Sequence, residues 1–149
     1  MSFTFIPIPG FSHIFREKEG AHFTKTQGHL RIEKGITVLL EAWEKFNLND
    51  DLSKKCILII AGNIPKGFNY NFKKFDNLLI VNRFLNDLEY KNLILKSYCV
   101  ILPYTKGTNS GIPSTVLSLG TKLITSDIEM FKNNEVVDHR FMFESENSI

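Results

Sequence analysis

The chain has 149 residues, 43% hydrophobic and 23% charged, with a formal net charge of +2. That is enough for one domain with a real core, of ordinary globular composition. The basic residues form no polyanion-binding stripe, and no apolar run approaches the roughly 20 residues of a membrane span. Met1–Pro9 lacks the basic leader and cleavage site of a signal peptide. Cys56 and Cys99 each fall within an apolar strand pattern, as small core residues in a reducing compartment. The expectation is a cytoplasmic protein with no nucleic-acid partner and at most peripheral membrane association.

Met1–Gly20 is irregular, with Pro7 and Pro9, and reads as a lead-in that packs by Phe5, Ile6 and Ile8. Phe23–Gln27 takes the place of a first strand, followed by a loop from Gly28 to Gly35. Ile36, Leu39, Leu40, Trp43 and Phe46 then recur at helical spacing, with Glu41, Glu44 and Lys45 off that stripe. Cys56–Ala61 is an unbroken apolar run, which predicts a strand buried on both faces and closed by Gly62–Asn63. Ile64–Asn77 carries no periodic signal. Leu78–Val81 reads as a strand, and Asn86 with Glu89 three residues on is a capping-box pattern opening a helix that turns Leu93, Ile94 and Ser97 inward.

Cys99–Leu102 is a second doubly buried strand, ended by Pro103 and Tyr104. Thr105–Asn109 follows as a small polar loop. Ser110, Gly111 and Pro113 can cap and start a helix, which Gly120 stops. Lys122–Thr125 predicts another strand, a short helix lies near Met130–Val137, and a last strand falls around Phe141–Phe143. Strands apolar throughout and alternating with helices imply an α/β, Rossmann-like three-layer sandwich with a mainly parallel sheet of about six strands. Such sheets bind ligands at the carboxyl ends of their strands. The Gly28 loop, the Gly62 loop, the Arg83–Phe84 segment and the Ser110–Gly111 turn all follow strands and open on that edge. A Gly/Ser loop running into a helix N-terminus suits an anion, so the ligand's phosphates are expected there.

The stretches GHLRIEKGITVLLEAW, LIIAGN, FLNDLEYKNLILKSYCVILPYTKGTNSG and LGTKLITSDIEMF resemble, in order and spacing, the donor-binding half of GT-B glycosyltransferases. The likeness is to the large retaining family 4 and covers His22 to Glu144. It implies a lead-in over 1–20 and a C-terminal nucleotide-sugar-binding domain over 21–149, part of a hexosyltransferase-like enzyme. In that family a glycine, a basic residue and a lysine before another glycine hold the donor's pyrophosphate. Gly28, Lys34 and Gly35 match. His29 stands where arginine is usual, and Arg31 supplies charge nearby. The resemblance thus implies Arg31 and Lys34 as catalytic, with Gly28, His29, Gly35, Arg83, Phe84, Ser110, Gly111 and Thr115 around the donor. From the residues alone, Arg31 and Lys34 also suit a solvated loop, Phe84 a core, and Ser110–Gly111 an ordinary helix cap.

Where many family members carry a pair of glutamates, toward the donor sugar and the ribose, this chain has Gly107 and Thr115. Lys25 and Gln27 are polar where a central strand is expected to be apolar. The resemblance implies retaining transfer from a nucleoside-diphosphate-sugar to a glycan or lipid-linked acceptor, which an additional N-terminal domain would bind. Leaving-group charge is met by cations and helix dipole, without a metal or other cofactor. A donor domain alone binds nucleotide sugar and transfers inefficiently, because it cannot orient an acceptor. A degenerate, non-catalytic binding module and a half-domain of a sugar-nucleotide epimerase or phosphorylase are the alternatives. A receiver or flavodoxin-like domain would want an acidic cluster or an aromatic flavin loop after the first strand.

Overall fold

The computed structural model describes residues 21–25, 31–48, 53–54, 56–64, 66–67, 75–107 and 109–144. The apolar stripe after Gly35 forms helix α1 (Ile36–Phe46), which buries Ile36, Leu39 and Trp43. Trp43 stacks on Phe46 with ring centroids 4.9 Å apart, and its indole N–H donates to Asn77 Oδ1 at 3.3 Å. The Asn77 amide in turn donates to the Ser53 carbonyl at 3.0 Å, tying α1 to the segments just before Cys56 and Leu78. Truncating a buried tryptophan of this kind costs about 3–5 kcal/mol.

Strand β2 (Cys56–Ala61) explains the layering. All of its residues are buried, and alternate side chains serve opposite faces. Cys56, Leu58 and Ile60 pack with Ile36, Leu39 and Trp43 of α1. Ile57, Ile59 and Ala61 join a second cluster with Tyr90, Leu93 and Ile94 of α2 (Asp87–Lys96). Val116 of α3 (Ile112–Ser118) and Phe131 of α4 (Glu129–Lys132) extend that second core. Helices therefore lie on both faces of the sheet, as continuous apolar strands require.

The remaining strands are β1 (Ala21–Lys25), β3 (Leu78–Val81), β4 (Cys99–Leu102), β5 (Lys122–Ser126) and β6 (Met142–Phe143). They pair in the order β3-β2-β1-β4-β5-β6, every pairing parallel. This is the doubly wound Rossmann order, whose direction reverses between β1 and β4. The first strand lies two residues earlier than the expected Phe23–Gln27, because its pairing begins with Ala21 opposite Cys56. Gln27 lies outside the described residues.

Local signals explain most element ends. Asn86 Oδ1 accepts from the Leu88 and Glu89 N–H groups while Glu89 accepts from Asn86 N–H at 3.0 Å, completing the capping box. Gly120, at φ +75, terminates α3 in the left-handed conformation that glycine adopts without strain. The helix expected near Met130–Val137 is only α4. Asn134 Oδ1 accepts from Val136 N–H at 3.2 Å, an asparagine turn that competes with helix continuation. Among the described residues no helix is long and apolar enough to cross a membrane.

Candidate functional site

The loop that leads into α1 and the loop that leaves β4 meet at the reversal between β1 and β4. Gly35 makes the meeting possible. It sits at φ +66, caps the 3-10 turn Ile32–Lys34, and a Cβ on it would overlap the Pro103 carbonyl. Glycine is the residue that combines this backbone conformation with such close approach. Beside it, Thr105 N–H donates to the Glu33 carbonyl at 2.9 Å, and the Lys34 ammonium lies 3.9 Å from the centre of the Tyr104 ring. Ser126 Oγ donates to the Tyr104 carbonyl at 2.5 Å, which fixes the loop to β5.

These contacts wall a cavity of about 780 Å³ lined by Arg31, Glu33, Lys34, Tyr104, Lys106, Asn109 and Met130, among others. Its volume lies in the range of small-molecule sites, and it opens where doubly wound sheets bind their ligands. Among the described residues three cations line it, against one carboxylate, Glu33, which pairs with Arg31 at 3.5 Å. Partial burial pushes the Lys34 pKa below its usual 10.5, and repulsion from Arg31 adds to that shift. Such a lysine gains by meeting an anion. Tyr104 is buried, and that burial raises its hydroxyl to about 12, so it stays neutral.

A second cavity of about 660 Å³ adjoins the first, and the two share Gly107, Asn109 and Met130. Its other lining residues include Ser110, Glu129, Asn133, Asn134 and Glu135, so it is rich in amides and carboxylates where the first is cationic.

The structure thus brings Arg31 and Lys34 to the first cavity, while Ser110 lines only the adjoining one. Gly35 serves as the hinge of that first cavity's rim rather than as a lining residue. Ser110 is not the cap of α3: Gly111 takes that place, and Ser110 Oγ accepts from Ile112 N–H at a long 3.4 Å. The Thr115 hydroxyl donates back to the Gly111 carbonyl at 3.2 Å. Arg83 forms a two-pronged ion pair at 2.8 and 2.9 Å with Glu89, the residue that accepts from the Asn86 N–H, while Phe84 beside it is 52% exposed. None of Arg83, Phe84, Gly111 and Thr115 lines either cavity. Gly28 and His29 lie outside the described residues. The sequence reading overlooked Lys106, Asn109 and Met130, although a lysine-glycine pair just past a buried strand was a signal for the first.

The fold and this cleft define a doubly wound α/β domain with a cationic pocket at its switch point. No protein-family model matches the chain, and no curated protein matches it by sequence. Solved structures do. A UDP-forming α,α-trehalose-phosphate synthase from Burkholderia xenovorans superposes with a TM-score of 0.64 at 11% identity, over 83% of this chain and 33% of that one. An E. coli trehalose-6-phosphate structure bound with UDP-2-fluoro glucose gives 0.64 at 10% identity, over 80% and 32%. The N-terminal domain of a Candida albicans trehalose-6-phosphate phosphatase gives 0.62 at 12%, over 77% and 29%. At these identities the likeness is one of fold, and the chain spans about a third of the length of these neighbours.

Proposed function

We propose that this chain is the donor-binding domain of a GT-B glycosyltransferase of the retaining, family 4-like kind, and that a nucleoside-diphosphate-sugar occupies the switch-point cleft. The observation that carries the proposal is the gathering of Arg31, Lys34 and Lys106 around one cavity at the β1/β4 reversal. The fold neighbours support it, one of them being bound to a UDP-sugar analogue.

In this reading Lys34 and Arg31 meet the pyrophosphate and stabilise the negative charge that grows on it as the glycosidic bond breaks. The Lys34–Tyr104 contact and the Thr105–Glu33 hydrogen bond hold that charge in place beforehand. The positive dipole end of α1 begins directly after Lys34 and Gly35. Cations and main-chain groups, rather than a metal, are proposed to supply the positive charge. A glycan or lipid-linked acceptor would be presented by a separate domain; without it the chain binds donor and transfers poorly.

A non-catalytic binding module is the second reading, and one observation favours it. Gly107 and Thr115 carry no carboxylate, and the space for a side chain at Gly107 is already filled by Met130, 3.0 Å from an added Cβ. Calorimetry with UDP-, GDP- and ADP-sugars on the full chain tests the main proposal. Saturable binding that weakens in Lys34→Ala supports it, and no binding to any of them overturns it. Binding with no turnover in the presence of an acceptor domain selects the second reading.

A further inference from the structure

The two adjoining cavities differ in chemistry, and the residues between them are few. Arg31, Lys34 and Lys106 line one side; Glu129, Asn133 and Asn134 line the other. Phosphate favours the first, whereas a neutral polyhydroxylated group finds donors and acceptors in the second. Asn133 Nδ2 donates to Glu129 Oε2 at 3.2 Å, so these groups already face one another. Met130 lines both cavities and rests part-buried on the α2-side core. Across from it stands Gly107, where an added Cβ would come 3.0 Å from the Met130 sulfur and 3.1 Å from its terminal methyl.

We infer that Met130, opposed by Gly107, is the specificity-determining residue of this groove: its thioether sets how large an arm a phosphate-anchored ligand can extend from the cationic cavity into the amide-lined one. The inference rests on the donor-binding reading above. Methionine suits the task, since its unbranched chain adapts to the arm it meets. Because Met130 and Gly107 line both cavities, a ligand that spans them passes that thioether.

The test compares the affinities of UDP, UDP-glucose and UDP-N-acetylglucosamine by calorimetry on the full chain. Met130→Ala is expected to raise the affinity for UDP-N-acetylglucosamine about tenfold relative to UDP-glucose. Gly107→Ala, which presses on the sulfur, is expected to lower that ratio in the wild-type background and to leave it unmoved beside Met130→Ala. A ratio that stays constant in folded Met130→Ala overturns the inference while leaving the donor-binding reading intact. Failure of the wild-type chain to bind any of the three overturns both.

Discussion

Lys34 carries its ammonium 3.9 Å above the Tyr104 ring, so a cation from the loop before α1 is seated by an aromatic from the loop after β4. The contact aims the charge and partly desolvates it, and a cation over a ring is worth about 0.5–2 kcal/mol to the fold. Replacing Lys34 by alanine is therefore expected to weaken nucleoside-diphosphate-sugar binding by about 1–3 kcal/mol, with a smaller loss of stability. Titration calorimetry beside a thermal melt separates the two effects. Unchanged affinity in a folded variant would remove Lys34 from the site.

The same lysine makes binding pH-dependent. Its pKa in the folded chain lies below the usual 10.5, chiefly through burial and next through Arg31. Between that lowered value and 10.5 the native state holds fewer protons than the unfolded chain, so Lys34 contributes a rise in stability with pH across that window. Diphosphate binding runs the other way. Affinity is highest with Lys34 protonated and falls as pH climbs through the lowered pKa, earlier than for an ordinary lysine. Lys34→Arg keeps its charge and is expected to flatten this decline in an affinity-versus-pH series.

Gly35→Ala is expected to destabilise the chain by about 2–5 kcal/mol. Roughly 1–2 kcal/mol comes from forcing alanine into a left-handed conformation, and the rest from overlap with the Pro103 carbonyl. Chemical denaturation measures the loss. A variant as stable as the parent would show that the two loops do not meet as described.

Glu89 gives an acid-side prediction. The hydrogen bonds from Arg83 and then from Asn86 N–H hold its carboxyl below the usual 4.5. The stability it contributes is full above 4.5 and is lost as pH falls through the depressed value. Glu89→Gln is expected to cost about 1–3 kcal/mol at neutral pH and to flatten stability against pH on the acid side. Denaturation midpoints between pH 3 and pH 7, a window set by that linkage, show whether it does.

Much of the architecture was legible because it rests on local pattern. The unbroken apolar run Cys56–Ala61 signals a strand covered on both faces, and the Asn86–Glu89 spacing signals a capped helix. The start of β1 was not legible, since the pairing of Ala21 with Cys56 sets it and that partner is far off in sequence. In the site, Lys34 and Gly35 stood out through a short motif. Arg83 did too, but its partner Glu89 sits a turn ahead on α2 and takes up the guanidinium, which a motif cannot reveal. Met130 was invisible for a different reason: it reaches Gly107 only through the packing of α4 against the β4 loop.

The most direct measurement locates bound phosphates. A crystal of the full chain soaked with UDP-glucose is expected to show the diphosphate between Lys34 and the Tyr104–Gly107 loop, within hydrogen-bond reach of Lys34 Nζ, about 2.7–3.2 Å. Density for the diphosphate elsewhere on the molecule, with this cleft holding only solvent at saturating ligand, would contradict the account.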